Sequence, residues 1–195
     1  TRSEKYTDRN SRNPETAFGS IEDDCLRRDL TINSLYQNVS TGEILDFSGR
    51  GLADLKAHII RTPMEPDATF DDPVRILRAI RFAAKYGWDI DPAALEAMKR
   101  HCNRLSIISA ERLYGEFEKL LLSPRPAMAL GLLRKAGAIP LLIPELCATF
   151  DMTQSDYHFG TVWEHTLATV DGVSADPVLR MAALLHDIGK TVTRQ

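Results

Sequence analysis

Several features that would indicate a particular class of protein are scarce in this sequence. Only three cysteines occur in 195 residues, Cys25, Cys102 and Cys147, at wide spacing and without a C-x-x-C pair. That pattern argues against a disulfide framework and favours a reduced, intracellular protein. No run of 18 apolar residues and no signal peptide is found, so we expect no membrane association and a cytoplasmic location.

An excess of basic charge is also absent. The 24 Lys and Arg residues are outnumbered by 27 Asp and Glu residues, for a formal net charge of −3. A nucleic-acid partner would therefore be held by local patches, such as Arg75 to Arg81 or the group of Lys99, Arg100 and Arg104. The hydrophobic fraction of 44% allows a sizeable core in one or two domains. Because the chain opens on Thr1 rather than Met, we expect it to be a fragment of a longer protein.

The secondary-structure signals change in character at Pro63 and Pro66, which form a natural joint. Before the joint we predict short strands near 4–7, 43–47 and 59–61, a helix beginning near Asp29 and a brief helix at 52–56. After it we predict helices at 72–86, 91–102, from Ser109, at 123–137, 161–170 and 177–187, with a tight connection at 140–144. The pattern indicates a mixed α/β piece followed by a mainly helical body, mostly α overall.

One predicted helix carries a carboxylate and three evenly spaced guanidiniums. Asp71 and Asp72 can accept hydrogen bonds from the first turn, Pro73 suits the first helical position, and Gly87 provides a stop. Residues three apart are neighbours on a helix surface, so one polar ridge is formed by Asp72, Arg75, Arg78 and Arg81.

This ridge has a composition suited to reading a nucleotide base. Cytosine and adenine both present an amine donor beside a ring-nitrogen acceptor, so Asp72 could accept from the amine while Arg75 donates to the ring nitrogen. Guanine and uracil reverse that pattern. Arg78 and Arg81 would then face phosphates, by charge and geometry. The alternative is a solvated face with an ordinary ion pair between Asp72 and Arg75.

Four stretches, in this order, resemble motifs of the tRNA nucleotidyltransferase and poly(A) polymerase family in its bacterial, CCA-adding form. They are Arg27 to Asn33, the segment from Asp46 through Gly49, Gly51 and Asp54 to Arg61, the stretch Asp71 to Arg75, and Ile108 to Arg112. The resemblance covers about residues 1–125. It implies the end of a nucleotidyltransferase head followed by a helical neck and body.

The resemblance also implies one nucleotide site built from two of these motifs. The first motif would contact the incoming nucleotide and shape the sugar and phosphate side of its pocket, through Arg28, Asp29 and Asn33. The other would act as an amino-acid template for C and A, through Asp72 and Arg75, completed by Arg78 and Arg81. Arg27 is interpreted as a surface or tRNA contact, and Glu111 with Arg112 as a brace of the neck.

The catalytic motifs that the family carries on the sheet of its head are missing. They are a Gly-Gly-x-x-Arg-Asp stretch and an Asp-x-Asp pair, and we expect neither in this chain. In the family such carboxylates hold two Mg²⁺ ions that activate the primer hydroxyl and stabilise the leaving pyrophosphate. We therefore expect Mg²⁺ to be bound by residues outside this chain, which would hold no catalytic residue and be inactive alone.

A separate signal lies near the C-terminus. Trp163 to Leu167 and Leu184 to Lys190 look like the opening of an HD domain, a helical module whose His, His-Asp and later Asp ligands bind a divalent metal. The resemblance implies His165, His186 and Asp187 as ligands, with the fourth outside this sequence. It leaves open whether such a domain would be a phosphohydrolase or only structural.

Together these observations predict three domains: the C-terminal part of a nucleotidyltransferase head at 1–62, a helical neck and body at 63–150, and a partial HD domain at 151–195. The expected function is addition of C and A to the tRNA 3′ end from CTP and ATP, with release of pyrophosphate. The alternatives are a poly(A) polymerase, an enzyme adding only CC or A, and a metal-dependent phosphohydrolase with an RNA-binding region. The oligomeric state is not indicated.

Overall fold

The structure, a computed structural model, describes residues 2–5, 15–153 and 160–193. Helices dominate this part of the chain, which confirms the predicted fold class. They are α1 (Ile21–Leu26), α2 (Gly51–Ala57), α3 (Pro66–Thr69), α4 (Val74–Tyr86), α5 (Pro92–His101), α6 (Ala110–Leu121), α7 (Pro126–Ala136), α8 (Ile139–Leu142), α9 (Val162–Gly172), α10 (Pro177–Leu185) and α11 (Lys190–Thr193). Short 3₁₀ helices occupy Thr31–Asn33, Cys102–Ile107 and Pro144–Thr149.

The described strands are short and form three separate two-stranded ladders. β1 (Arg2–Lys5) pairs antiparallel with β2 (Glu15–Phe18), and β3 (Tyr36–Gln37) with β4 (Ile44–Leu45). β5 (Ile59–Ile60) runs parallel to β6 (Asp89–Ile90), with α3 and α4 as the crossover between them. The strands predicted at 43–47 and 59–61 are thus shorter than expected. The strand predicted at 4–7 lies at 2–5, and residues 6 and 7 fall outside the described residues.

The helix predicted to begin near Asp29 lies earlier in the chain, because a capping box fixes the start of α1. The Ser20 hydroxyl accepts from the backbone N–H of Asp23, whose carboxylate accepts from the backbone N–H of Ser20. Asp29 itself accepts from the N–H of Leu30 at 2.9 Å. This local bond competes with helix formation, so the chain makes only a 3₁₀ turn beyond it.

The predicted ridge helix is confirmed as α4. Asp72 accepts from the N–H of Val74 at 3.2 Å, and Gly87 ends the helix in the left-handed conformation, with φ of 72°. The apolar side of α4, which includes Leu77, Ile80 and Ala84, is fully buried. The opposite side remains half-exposed, as an amphipathic helix requires.

Prolines move two later boundaries away from their predicted positions. The helix predicted to start at Ser123 begins at Pro126, because Pro124 and Pro126 each exclude the residue before them from the helical conformation. The tight connection predicted at 140–144 contains α8, followed by the 3₁₀ turn at Pro144–Thr149. In both places a proline occupies the first turn, where its missing N–H has no cost.

One continuous core joins the elements that were predicted as separate domains. Its buried residues extend from Leu30 and Ile60, through α4 to α7, to Ala183 and Leu184 of α10. Arg61 links the first part to the second by ion pairs to Asp54 at 3.1 Å and Asp91 at 2.9 Å. The boundaries at 62/63 and 150/151 remain predictions.

Two further observations concern the cysteines and the lengths of the helices. Cys25, Cys102 and Cys147 are all free. Of the helices in the described residues, none has the length and apolar character needed to cross a membrane.

Candidate functional site

An open cleft of about 530 Å³ lies where the loop after α1 faces the exposed side of α4. We call it the arginine cleft, because arginine is the commonest residue in its wall. Its lining residues are Arg27, Arg28, Asp29, Asn33, Asp72, Arg75, Arg78, Phe82 and Arg112. Six of the seven predicted nucleotide-binding residues are therefore brought together. The seventh, Arg81, is not part of this wall.

Asp72 and Arg75 both lie in the wall of the cleft, and they do not form a hydrogen bond with each other. One oxygen of Asp72 caps α4 through the N–H of Val74, while the other, Oδ2, is 3.8 Å from Nε of Arg75. Arg112 approaches the same oxygen, also at 3.8 Å. Because both separations exceed hydrogen-bond length, Oδ2 and the guanidinium of Arg75 keep capacity for a partner in the cleft.

Asp29 and Arg78 are bound much more tightly to one another. Arg78 directs Nε and Nη2 at one oxygen of Asp29, at 2.7 and 2.6 Å. The other oxygen accepts from the N–H of Leu30 and from the amide of Asn33, at 2.9 and 3.3 Å. Asp29 therefore holds α4 against the preceding loop, while Arg78, whose side chain is 41% exposed, still faces the cleft.

Arg81 points to α6 instead of the cleft. Its Nε lies 3.2 Å from the carboxylate of Glu116, and its guanidinium covers the ring of Phe82 at 4.7 Å. Glu116 also accepts from Lys119 at 2.9 Å. The contacts of Arg81 are those of a brace between two helices.

Three wall residues were not predicted to belong to a nucleotide site. Arg27 was interpreted as a surface or tRNA contact, Arg112 as a structural brace, and Phe82 was not considered. The signal for Phe82 was its position four residues after Arg78, on the same face of the helix. Nothing local to Arg112 could have placed it here, since it comes from α6.

The cleft wall does not offer a pair of carboxylates for metal ions. Of the described residues that form it, only Asp29 and Asp72 are acidic, and Asp29 has both oxygens engaged. An Asp-x-Asp does occur at Asp89 and Asp91, which corrects the expectation that the sequence lacks one. Asp91 caps α5 and pairs with Arg61, and neither aspartate lines the cleft. We therefore assign no Mg²⁺-dependent step to these residues.

A second cluster joins α9 to the end of α10. Nε2 of His165 and Nε2 of His186 are 3.2 Å apart, and Oδ2 of Asp187 is 3.7 and 3.2 Å from them. Lys190 donates to the same oxygen at 2.6 Å. Burial opposes ionisation of Asp187, but the hydrogen bond from Lys190 and the charges of the two histidines outweigh burial and lower its pKa. The three residues predicted as metal ligands are thus close enough to share one ion.

The fold and the cleft define a class: part of a nucleotidyltransferase head that continues into a helical body. Residues 1–61 match the family model described as the poly A polymerase head domain, and residues 87–150 match the model described as the probable RNA and SrmB-binding site of polymerase A. The chain belongs to the class II family of CCA-adding enzymes and poly(A) polymerases.

Curated relatives agree with this assignment. The chain is 47% identical over 139 residues to the mitochondrial CCA tRNA nucleotidyltransferase of Saccharomyces cerevisiae, which covers 69% of this chain and 25% of that protein. It is 41% identical over 185 residues to the Multifunctional CCA protein of Neisseria gonorrhoeae, covering 89% of this chain and 43% of that protein. The chain therefore spans between a quarter and less than half of the length of these relatives.

Solved structures show the same architecture. The Bacillus stearothermophilus CCA-adding enzyme in complex with CTP has a TM-score of 0.69 and 30% identity, covering 89% of this chain and 41% of its own. A tRNA nucleotidyltransferase complexed with a primer tRNA and an incoming ATP analog has a TM-score of 0.64 and 26% identity, covering 87% of this chain and 51% of its own.

Proposed function

We propose that this chain is the nucleotide-selecting and RNA-binding part of an enzyme that adds C and A to the 3′ end of tRNA, using CTP and ATP and releasing pyrophosphate. The observation that carries the proposal is the arrangement of Asp72 and Arg75 in the arginine cleft. An acceptor and a donor stand side by side there, and each retains capacity for a hydrogen bond. The names of the relatives support the same reaction.

The base is selected by this pair. Oδ2 of Asp72 accepts from the amine of cytosine or adenine, and the guanidinium of Arg75 donates to the adjacent ring nitrogen. Guanine and uracil place a carbonyl against Asp72 and an N–H against Arg75, so both contacts become repulsive. Mismatched hydrogen-bonding edges of this kind cost about 1–3 kcal/mol per pair.

The remaining arginines act on the phosphates. Arg28, Arg78 and Arg112 surround the cleft with positive charge, and their side chains are 43, 41 and 50% exposed. Guanidiniums that are both exposed and charged suit a triphosphate. Mg²⁺ would be bound by carboxylates of the nucleotidyltransferase head. The cytoplasmic location remains a prediction.

A transfer assay with the full-length protein tests this proposal. The protein is given Mg²⁺, a tRNA lacking its 3′ end, and each labelled nucleotide in turn. We expect C and A to be added and synthesis to stop once the CCA end is complete. An open-ended A tail would favour the poly(A) polymerase alternative, addition of only CC or only A would favour a partial enzyme, and no transfer at all would contradict the proposal.

Variants of the selecting pair sharpen the test. Asp72→Ala combined with Arg75→Ala should reduce the preference for C and A over G and U at least tenfold, since each edge contact is worth about 1–3 kcal/mol. Lys56→Ala, which removes an exposed charge from α2, is the control. Unchanged selectivity in the double variant would reject the template assignment.

We also propose, as a second function, that His165, His186 and Asp187 bind a divalent metal ion in an HD-type site. The supporting observation is that the three ligand atoms lie within 4.8 Å of one another. Two imidazoles and a carboxylate suit a transition metal or Mg²⁺, and a bound ion would supply a water for phosphoester hydrolysis.

Calorimetric titration of the full-length protein with Mn²⁺ tests this second proposal, because it measures metal binding directly and does not depend on enzymatic activity. His186→Ala should remove one Mn²⁺ site from the titration, while the sites of the head persist, and should leave nucleotide addition unchanged. His58→Ala, which removes an exposed histidine elsewhere, is the control and should bind Mn²⁺ normally. Equal Mn²⁺ binding by the His186 variant would exclude the site. Metal binding without phosphohydrolase activity would identify a structural site.

A further inference from the structure

Arg28 is held in the cleft by two neighbouring side chains, Asp24 and Tyr36. Asp24 belongs to α1, and its side chain is only 9% exposed. Its Oδ2 accepts from Nε and Nη2 of Arg28, at 3.3 and 3.1 Å, and from the hydroxyl of Tyr36. The same carboxylate accepts from Arg27.

Tyr36 contacts Arg28 in two ways. Its hydroxyl lies 3.2 Å from Nε of Arg28, and the guanidinium lies over its ring at 5.1 Å from the centroid. Tyr36 belongs to β3, which pairs with β4, and its ring packs edge-on against that of Phe47. The tyrosine is thus a platform beneath the guanidinium, and Asp24 is an anchor at its side.

Counting N–H groups shows what remains for a ligand. A guanidinium carries five N–H groups. Nε is used by Asp24 and Tyr36, one N–H of Nη2 by Asp24, and one N–H of Nη1 by the backbone oxygen of Asn33 at 3.1 Å. Two N–H groups of Arg28 therefore remain beyond these contacts with described residues, on a side chain that is 43% exposed in the cleft wall.

We propose that Asp24 and Tyr36 are positioning residues that hold Arg28 with its two remaining N–H groups available to the phosphates of the incoming nucleotide. This inference rests on the proposed function, and it adds two residues that do not line the cleft. An arginine that is held in place loses less rotamer freedom when it binds, so the anchor increases affinity without touching the ligand.

Charge and positioning predict opposite results for Asp24. Asp24→Asn removes a negative charge beside a site for an anionic nucleotide, so electrostatics alone would strengthen binding. Loss of the anchor would weaken it instead. We expect the Asp24→Asn variant to raise the KM for CTP and ATP about fivefold to tenfold, and Tyr36→Phe about threefold, each with kcat changed less than twofold.

The experiment is steady-state nucleotide addition by the full-length protein, with thermal unfolding recorded for each variant. Glu22→Gln makes the same charge change on an exposed residue of α1, and Tyr114→Phe removes a hydroxyl from an exposed tyrosine of α6. Both controls should keep the KM of the unmutated protein. A KM that falls or stays constant in Asp24→Asn, in a protein that remains folded, would overturn the proposal.

A double-mutant cycle separates this inference from the function on which it rests. Arg28→Ala should raise the KM on its own, and adding Tyr36→Phe to it should change the KM no further, because there is no guanidinium left to position. If Arg28→Ala has no effect, the assignment of Arg28 to the nucleotide site is wrong. If Arg28→Ala raises the KM while the Asp24 and Tyr36 variants do not, only the positioning role is rejected. If Tyr36→Phe has its full effect in the Arg28→Ala background, the tyrosine acts independently of Arg28 and the inference fails.

Discussion

Charged side chains in the arginine cleft differ in how far they are neutralised by protein partners. Asp29 and Arg78 are 2.6 Å apart, whereas Asp72 and Arg75 are 3.8 Å apart although they are three residues apart on one helix. The first pair crosses between two elements and fixes their separation. The second leaves an acceptor and a donor for a base. One aspartate–arginine pair in the cleft wall therefore stabilises the fold, and the other remains available for recognition of a base.

Asp24 also stabilises the folded state in a way that depends on pH. The hydroxyl of Tyr36, opposed by burial and assisted by Arg27 and Arg28, lowers the pKa of Asp24 from 3.8 to about 2. Since the folded-state pKa is the lower one, the ionised carboxylate stabilises the fold above about pH 4, and this contribution is lost as the pH falls toward 2. Its size corresponds to about 2 kcal/mol.

We predict that Asp24→Asn lowers the free energy of unfolding by about 2 kcal/mol at pH 6 and makes its decline between pH 4 and pH 2 shallower than in the unmutated protein. Urea denaturation at a series of pH values measures both effects. Glu22→Gln should follow the unmutated protein throughout. Parallel curves for Asp24→Asn and the unmutated protein would mean that Asp24 has no special role in acid stability.

At the scale of the element, α4 was predictable because its caps and its amphipathic pattern are local. Gly87 lies at φ of 72°, and Arg125, the residue before α7, donates to the carbonyl of Lys85 at 3.2 Å, which completes the C-terminus. The turn that follows leads directly into β6. The C-terminus of α4 is therefore fixed, and with it the orientation of the polar face of α4 toward the preceding loop.

The substitution Gly87→Ala should destabilise the fold by about 1–2 kcal/mol, because an L-residue is strained at this φ. A Cβ would also lie 2.8 Å from the guanidinium of Arg125, which must move away. Gly131→Ala, inside α7 with open space at the same atom, is the control and should stabilise by up to about 1 kcal/mol. Thermal unfolding of both variants tests the prediction, and equal shifts for the two would contradict it.

The position of Arg81 outside the cleft wall has a geometric cause at the same scale. Each step of three residues turns about 60° backwards around a helix of 3.6 residues per turn, so Arg81 lies about 120° from Arg75 while Phe82 lies only about 20° away. A ridge of i,i+3 neighbours is continuous, but it winds around the helix and leaves the cleft. The residues of α6 that contact this ridge are distant from it in sequence: Glu116 pairs with Arg81, and Arg112 approaches Asp72. No local pattern could have placed them.

At the scale of the whole molecule, the predicted neck and the predicted HD segment are joined by hydrogen bonds as well as by the chain itself. Arg180 of α10 is only 6% exposed and donates to the carbonyl of Leu121, at the end of α6, at 2.8 Å. Its Nε donates to the carbonyls of Val173 and Ser174, at 3.1 and 3.2 Å. Carbonyls at a helix C-terminus lack partners within the helix and attract positive charge. One buried guanidinium thus fastens the turn before α10 to the end of α6.

We predict that Arg180→Met destabilises the protein by about 3 kcal/mol, because buried carbonyls lose their donor and methionine cannot replace it. Lys99→Met, on an exposed i,i+3 pair, should cost less than about 0.5 kcal/mol. The two tryptophans allow the effect to be located. Trp88 reports on the end of α4, and Trp163 reports on α9.

Urea denaturation is therefore followed by fluorescence in Trp88→Phe and Trp163→Phe backgrounds, each with and without Arg180→Met. Because the core is continuous from Leu30 to Leu184, we expect the two probes to agree before Arg180 is changed. Afterwards the Trp163 signal should move to lower urea by more than the Trp88 signal, since the lost contacts are those that hold α10 and the turn before it. Equal shifts would show that α9 and α10 unfold only together with the neck, so that the segment after residue 150 has no separate stability to lose.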